Sequence, residues 1–147
     1  MERPSYRYVD HTADIEFIAS GRTIESAVNS AILAMADTTA DVKAVARSAG
    51  KSYTFTVSEK AVTIEDMVWE VLQQILSVAD FKDLFVYKAS RLKFSDGKKG
   101  PYRFSAKLYG KKRNPRFSRM DIKGVSKFDL SVRKPAGRFR ISVVVDV

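Results

Sequence analysis

Residues 63–80 read Thr63-Ile64-Glu65-Asp66-Met67-Val68-Trp69-Glu70-Val71-Leu72-Gln73-Gln74-Ile75-Leu76-Ser77-Val78-Ala79-Asp80. Apolar side chains at Ile64, Met67, Val68, Val71, Leu72, Ile75 and Leu76 recur every three or four residues. They therefore share one face of an α-helix. Thr63 suits the N-cap, because its hydroxyl can accept a free backbone N–H, and Glu65 and Asp66 suit the positive first turn. Trp69 stands off the stripe and widens the buried face. On either side of this helix the apolar period changes to two. Upstream, Tyr53, Phe55 and Val57 alternate with Thr54 and Thr56 as in a half-buried strand. Downstream, Leu84 to Phe94 reads as a strand and residues 95–100 as a turn. Tyr102, Phe104, Ala106 and Leu108 form the return strand, and its alternation assigns the apolar face to the core.

Further out the same alternation of elements continues. Ser5 to Val9 and Ile15 to Ala19 read as short strands, and Gly21 ends the second. Thr23 caps a helix whose stripe is Ile24, Ala27, Val28, Ala31, Ile32, Met35 and Ala36, with Glu25 in its first turn. Residues 38–49 are small and polar and carry no clear period. Toward the C-terminus, Lys111 to Arg116 reads as a basic loop and Ile122 to Val132 as a strand. Residues 134–137 read as a turn, and Phe139 to Val145 as a closing strand. Two main helices with six or seven strands, the later ones joined by hairpins, predict an α+β fold: a two-layer sandwich of mostly antiparallel sheet. The 147 residues, without repeat or linker, predict a single domain over 1–147.

Composition narrows the chemistry. The chain holds no cysteine and one histidine, which excludes disulfides, thiolate nucleophiles and zinc held by Cys and His. No Gly-rich phosphate loop or serine-hydrolase elbow is present, so a non-enzymatic role is expected. No apolar run reaches the roughly 18 residues of a membrane span. The expectation is a soluble cytoplasmic protein with no membrane partner. Residues 1–80 carry 7 Lys/Arg against 12 Asp/Glu, whereas residues 81–147 carry 19 against 5. Such asymmetry suggests an acidic region and a basic one that face different partners.

Two clusters are candidates for function. Asp10-His11-Thr12-Ala13-Asp14 lies at a strand junction. Its acids either build an Asx-type turn on their own backbone or offer oxygen to a hard cation such as Ca²⁺ or Mg²⁺. In the second reading further donors must come from elsewhere, and the chain end offers them. Asp146 is penultimate on a strand, and a strand that ends at Val147 delivers the α-carboxylate to a fixed place. The second cluster is Lys111, Lys112, Arg113, Arg116 and Arg119, interleaved with Tyr109 and Phe117. It suggests a surface for an anionic partner, RNA or an acidic protein.

These residues resemble a known family. Tyr8-Val9-Asp10-His11-Thr12-Ala13-Asp14-Ile15, followed by Gly21, Thr23, Glu25 and Ala27, is similar to the N-terminal signature of the archeases. Ile122-Lys123-Gly124-Val125-Ser126 resembles that family's Val-Lys-Ala-Ile-Thr segment, and Val144-Val145-Asp146-Val147 its ending. Arg22 departs from the acid that relatives often carry. The resemblance implies a non-catalytic activator of an RtcB-type RNA ligase in tRNA splicing. Such an activator promotes GTP-dependent guanylylation of the ligase and multiple turnover, touching tRNA indirectly or weakly. It also implies a divalent metal, Ca²⁺ before Mg²⁺ or Mn²⁺, held by Asp14, Asp146 and the carboxylate of Val147. Lys123 would be a functional basic residue, with Asp10 and His11 as accessories. An older reading of the family implies a chaperone or RNA-binding modulator of a tRNA-modifying methyltransferase.

Overall fold

The structure, a computed structural model, describes residues 1–9, 14–98 and 100–147. Its strands form two antiparallel sheets. The larger has the order β1 (Ser5–Val9), β2 (Ile15–Gly21), β8 (Phe139–Asp146) and β6 (Gly124–Val125), with β7 (Ser131–Arg133) also pairing β8. The smaller has β5 (Tyr102–Lys112) between β3 (Tyr53–Ala61) and β4 (Leu84–Ser95). Helix α1 (Ile24–Thr39), the short α2 (Val42–Arg47) and α3 (Ile64–Lys82) complete an α+β fold.

Both long helices start where the sequence predicts. Thr23 Oγ1 accepts from the Ser26 N–H at 3.1 Å and Ser26 Oγ accepts from the Thr23 N–H at 3.2 Å, a reciprocal capping box. Thr63 Oγ1 accepts from the Asp66 N–H at 3.1 Å. The turn into α1 requires glycine. A Cβ on Gly21 would lie 2.2 Å from Ser26 Oγ and 2.4 Å from the Ala27 nitrogen. Helix α1 has 12 of its 16 residues buried, so it is enclosed rather than laid on a surface. It packs on β2 and β8 of the larger sheet and on β4 of the smaller. Its buried Ser30 accepts from the Ser5 N–H at 2.9 Å and donates to the Ser20 carbonyl at 2.9 Å, fastening it to β1 and β2. Helix α3 presents the expected stripe of Met67, Val68, Val71, Leu72, Ile75 and Leu76 to the core. It covers the face of the smaller sheet that carries Phe55, Val57, Phe104, Ala106 and Leu108.

The structure departs from the sequence expectation in three places. Residues 122–132 are not one strand. Two residues of β6 and three of β7 flank a loop, closed where Ser126 Oγ donates to Asp129 Oδ2 at 2.7 Å. The stretch without a period contains α2, whose six residues are too few to show one. The expected basic loop from Lys111 begins later, because β5 runs on to Lys112, paired with Leu84.

Strand β8 fixes the site. Ile141, Val143, Val144 and Val145 are all buried, as suits a central strand covered on both faces. Val147 packs against the core just beyond it, which anchors the last residue.

Candidate functional site

The register of the larger sheet gathers the acidic candidates at one end. Ile15 pairs Val145 and Glu16 pairs Val144, and Asp14 immediately precedes the paired residues of β2. On the other side of β8, Gly124 pairs Asp146, and the Lys123 N–H donates to the Asp146 carbonyl at 2.7 Å. Asp14 and Lys123 thus each adjoin a segment that pairs with the end of β8, where Asp146 and Val147 lie. Asp146 and Lys123 are exposed and Asp14 is half-buried. Asp10 and His11 lie outside the described residues.

The segment bearing Lys123 is held from the helix side. Trp69 Nε1 donates to the Val125 carbonyl at 2.7 Å, and Gln73 Oε1 accepts from the Val125 N–H at 3.1 Å. The two side chains are one helical turn apart on α3, so both backbone groups of one residue are gripped by a rigid element. The Lys127 ammonium sits 5.1 Å from the centre of the Trp69 ring. Trp69 was visible in the sequence as an aromatic off the stripe. Gln73 was not, since its partner lies 52 residues away.

The donor set at this corner fits a hard divalent cation. Its groups are carboxylates, the ligand type that Ca²⁺, Mg²⁺ and Mn²⁺ prefer. None of the ion pairs among the described residues involves Asp14 or Asp146. Among the described residues no three His, Asp or Glu side chains cluster as a metal site.

The fold divides the basic cluster: Lys111, Lys112 and Arg116 line one cavity, and Arg113 and Arg119 another. Lys111 is only 8% exposed, and its ammonium donates to the Ala46 carbonyl at 3.1 Å and the Ser48 carbonyl at 2.6 Å. It serves as a cap on the C-terminal end of α2 and is withdrawn from the expected partner surface. Strand alternation is the cause, since it turns Lys111 under α2 and Lys112 outward. Lys112 Nζ donates to the Lys82 carbonyl at the end of α3 at 2.8 Å. Arg113 pairs with Asp80 and donates to the Leu84 carbonyl at 3.2 Å. Arg119 pairs with Asp37 at 2.9 Å and approaches Asp41 at 3.9 Å. Asp37 also accepts from the Tyr6 hydroxyl at 3.4 Å. Burial, then the Asp37 carboxylate, pushes the Tyr6 phenol up to about 12. Arg116 is exposed beside Phe117.

The Archease protein family (MTH1598/TM1083) matches residues 6–147. The chain belongs to the archease family. Among its archease relatives, the protein of Methanosarcina mazei is 28% identical over 144 residues, covering 97% of this chain and 95% of that one. The archease of Pyrococcus abyssi is 26% identical over 145 residues, covering 97% and 98%. The solution structure of protein 1598 of Methanobacterium thermoautotrophicum superposes with a TM-score of 0.78 at 20% identity, covering 97% of this chain and 98% of that one. The crystal structure of a Thermotoga maritima archease, described as a possible chaperone, gives 0.63 at 17% identity, covering 100% and 98%. At these identities the two structures speak for the archease fold alone. No helix described in this archease is long and apolar enough to cross a membrane.

Proposed function

We propose that this archease activates an RtcB-type RNA ligase without being a catalyst itself, using the carboxylate corner at the end of β2 and β8. What supports the reading is that Asp14, Asp146 and Val147 adjoin the paired ends of β2 and β8, with Lys123 on the neighbouring segment, and that neither aspartate is spent in an ion pair among the described residues. Asp14, Asp146 and the Val147 carboxylate would hold a divalent cation, which supplies a charge bridge to anionic groups when bound. Lys123 offers a compact positive charge to a phosphate or an acidic residue of the ligase. Activation requires tighter binding to the guanylylation-competent state of the ligase than to its other states.

The test is multiple-turnover ligation of a 3′-phosphate RNA with GTP and divalent metal. Asp14→Ala should abolish stimulation while leaving thermal stability in metal-free buffer nearly unchanged, because the side chain makes no ion pair among the described residues. A folded Asp14→Ala protein that stimulates fully would overturn the proposal. The second reading is a chaperone of a tRNA-modifying methyltransferase; the Thermotoga maritima archease is described as a possible chaperone, with no client named. It predicts indifference to Asp14.

A further inference from the structure

The smaller sheet has a second face, and its register composes a surface that no single stretch of sequence displays. Residues opposite one another in adjacent antiparallel strands point to the same side. Phe55 and Leu108 pair, as do Val57 and Ala106, and these lie under α3. The intervening pairs therefore point away from it. Tyr109 stands beside Lys88, Lys107 beside Ser90, Ser105 beside Lys93, and Arg103 across from Lys60. All of these are exposed or half-exposed. Helix α2 covers only the end of this face, where it packs on β4 with Val45 against Phe85 and Tyr87.

Three properties select the occupant. Lys60, Lys88, Lys93, Arg103 and Lys107 supply positive charge along the whole face, and none of its outward positions in these pairs is Asp or Glu. None of the five takes part in an ion pair among the described residues. The charge is thus available to an anion. An aromatic ring stands within it. Tyr109 is braced by Ser90, whose hydroxyl donates to its oxygen at 3.0 Å, and the Lys88 and Lys107 ammonium groups sit 5.1 Å and 5.3 Å from the ring centre. Tyr87 lies 6.5 Å from it, centre to centre. An acidic peptide would use the lysines but has no need of the ring. A single-stranded nucleic acid uses both, with bases stacked on the aromatic face and phosphates on the flanking cations. We infer that the open face of β3, β5 and β4 binds single-stranded nucleic acid, with Tyr109 as a stacking platform and Lys88, Lys93 and Lys107 as phosphate contacts. This site is separate from the carboxylate corner and does not depend on ligase activation.

The test is fluorescence anisotropy of the full-length protein with a labelled 12-nucleotide oligouridylate at 50–200 mM salt. Tyr109→Ala should weaken binding about 5- to 150-fold, the range for one lost stack, whereas Tyr109→Phe should retain affinity. Replacing Lys88, Lys93 and Lys107 with Gln should flatten the slope of log affinity against log salt by about 2. Replacing Lys43, Lys127 and Lys134 with Gln removes the same charge elsewhere and should change the slope far less. Equal effects of the two triple variants would overturn the inference. So would a Tyr109→Ala protein that binds within twofold of the wild type, no saturable binding, or competition by polyglutamate as effective as by unlabelled RNA. An oligodeoxythymidylate that binds equally would support the site as a reader of bases and phosphates rather than of the 2′-hydroxyl.

Discussion

The carboxylate corner and the basic run around residue 111 are both dense in charge in the sequence, yet the fold treats them oppositely. At the corner Asp14 and Asp146 are brought to the end of a sheet and left without cationic partners among the described residues. In the basic run Lys111 and Lys112 cap helix ends, while Arg113 and Arg119 pair with acids. Charge that is already satisfied stabilises the fold, and charge that is not is available to a partner. Density in sequence therefore locates charge but does not say which of these uses it serves. The open cations of the basic half are instead single lysines spaced along strands, each separated from the next by residues of the other face.

The contrast can be broken most severely at the corner. Asp146→Ala should remove ligase stimulation altogether while leaving a folded protein, because Asp146 contributes to the fold through its backbone bond with Lys123. A variant that unfolds would place Asp146 among the structural charges. The opposite pattern is expected at Lys111. Lys111→Met leaves the Ala46 and Ser48 carbonyls without their donor, and should lower unfolding free energy by roughly 1–3 kcal/mol in urea titrations. Stimulation measured well below the melting temperature should persist. Gln73→Ala lies between the two regions in kind. Loss of its bond to Val125 should cost about 1 kcal/mol and reduce stimulation partially, through the position of Lys123. Unchanged stimulation would mean that Trp69 alone holds the segment. The smallest effect is expected at the ion pair of Arg119 with Asp37, whose side chains are 46% and 25% exposed. Arg119→Gln should shift stability by about 1 kcal/mol or less, and more weakly as salt rises.

Much of this fold is legible in the chain because its signals are local. The α3 stripe, the Thr23 and Thr63 caps and the alternation in β3 and β5 each fit within a few turns or one strand. The relevant ends of β2 and β8 were legible too: β2 begins at Ile15, just after Asp14, and β8 ends at Asp146. What escaped the sequence depends on pairing across long separations. The inward turn of Lys111 follows from its β5 register against β4, which extends the strand past the expected loop. The grip on Val125 joins residues 52 and 56 apart. The open face of the smaller sheet exists only once β3, β5 and β4 are in register, since its cations come from all three strands. Helix α2 is too short for any period, and its position is decided by Val45 packing with Phe85.

The most direct test of the carboxylate corner uses a protein extended by one glycine after Val147, compared with the unextended chain in multiple-turnover ligation of a 3′-phosphate RNA. The extension moves the α-carboxylate away while leaving Asp14, Asp146 and the packed Val147 side chain in place. Loss of most stimulation, with an unchanged melting temperature in metal-free buffer, is the expected result. Full stimulation by the extended protein would contradict the role assigned to the chain end and, with it, the three-carboxylate corner.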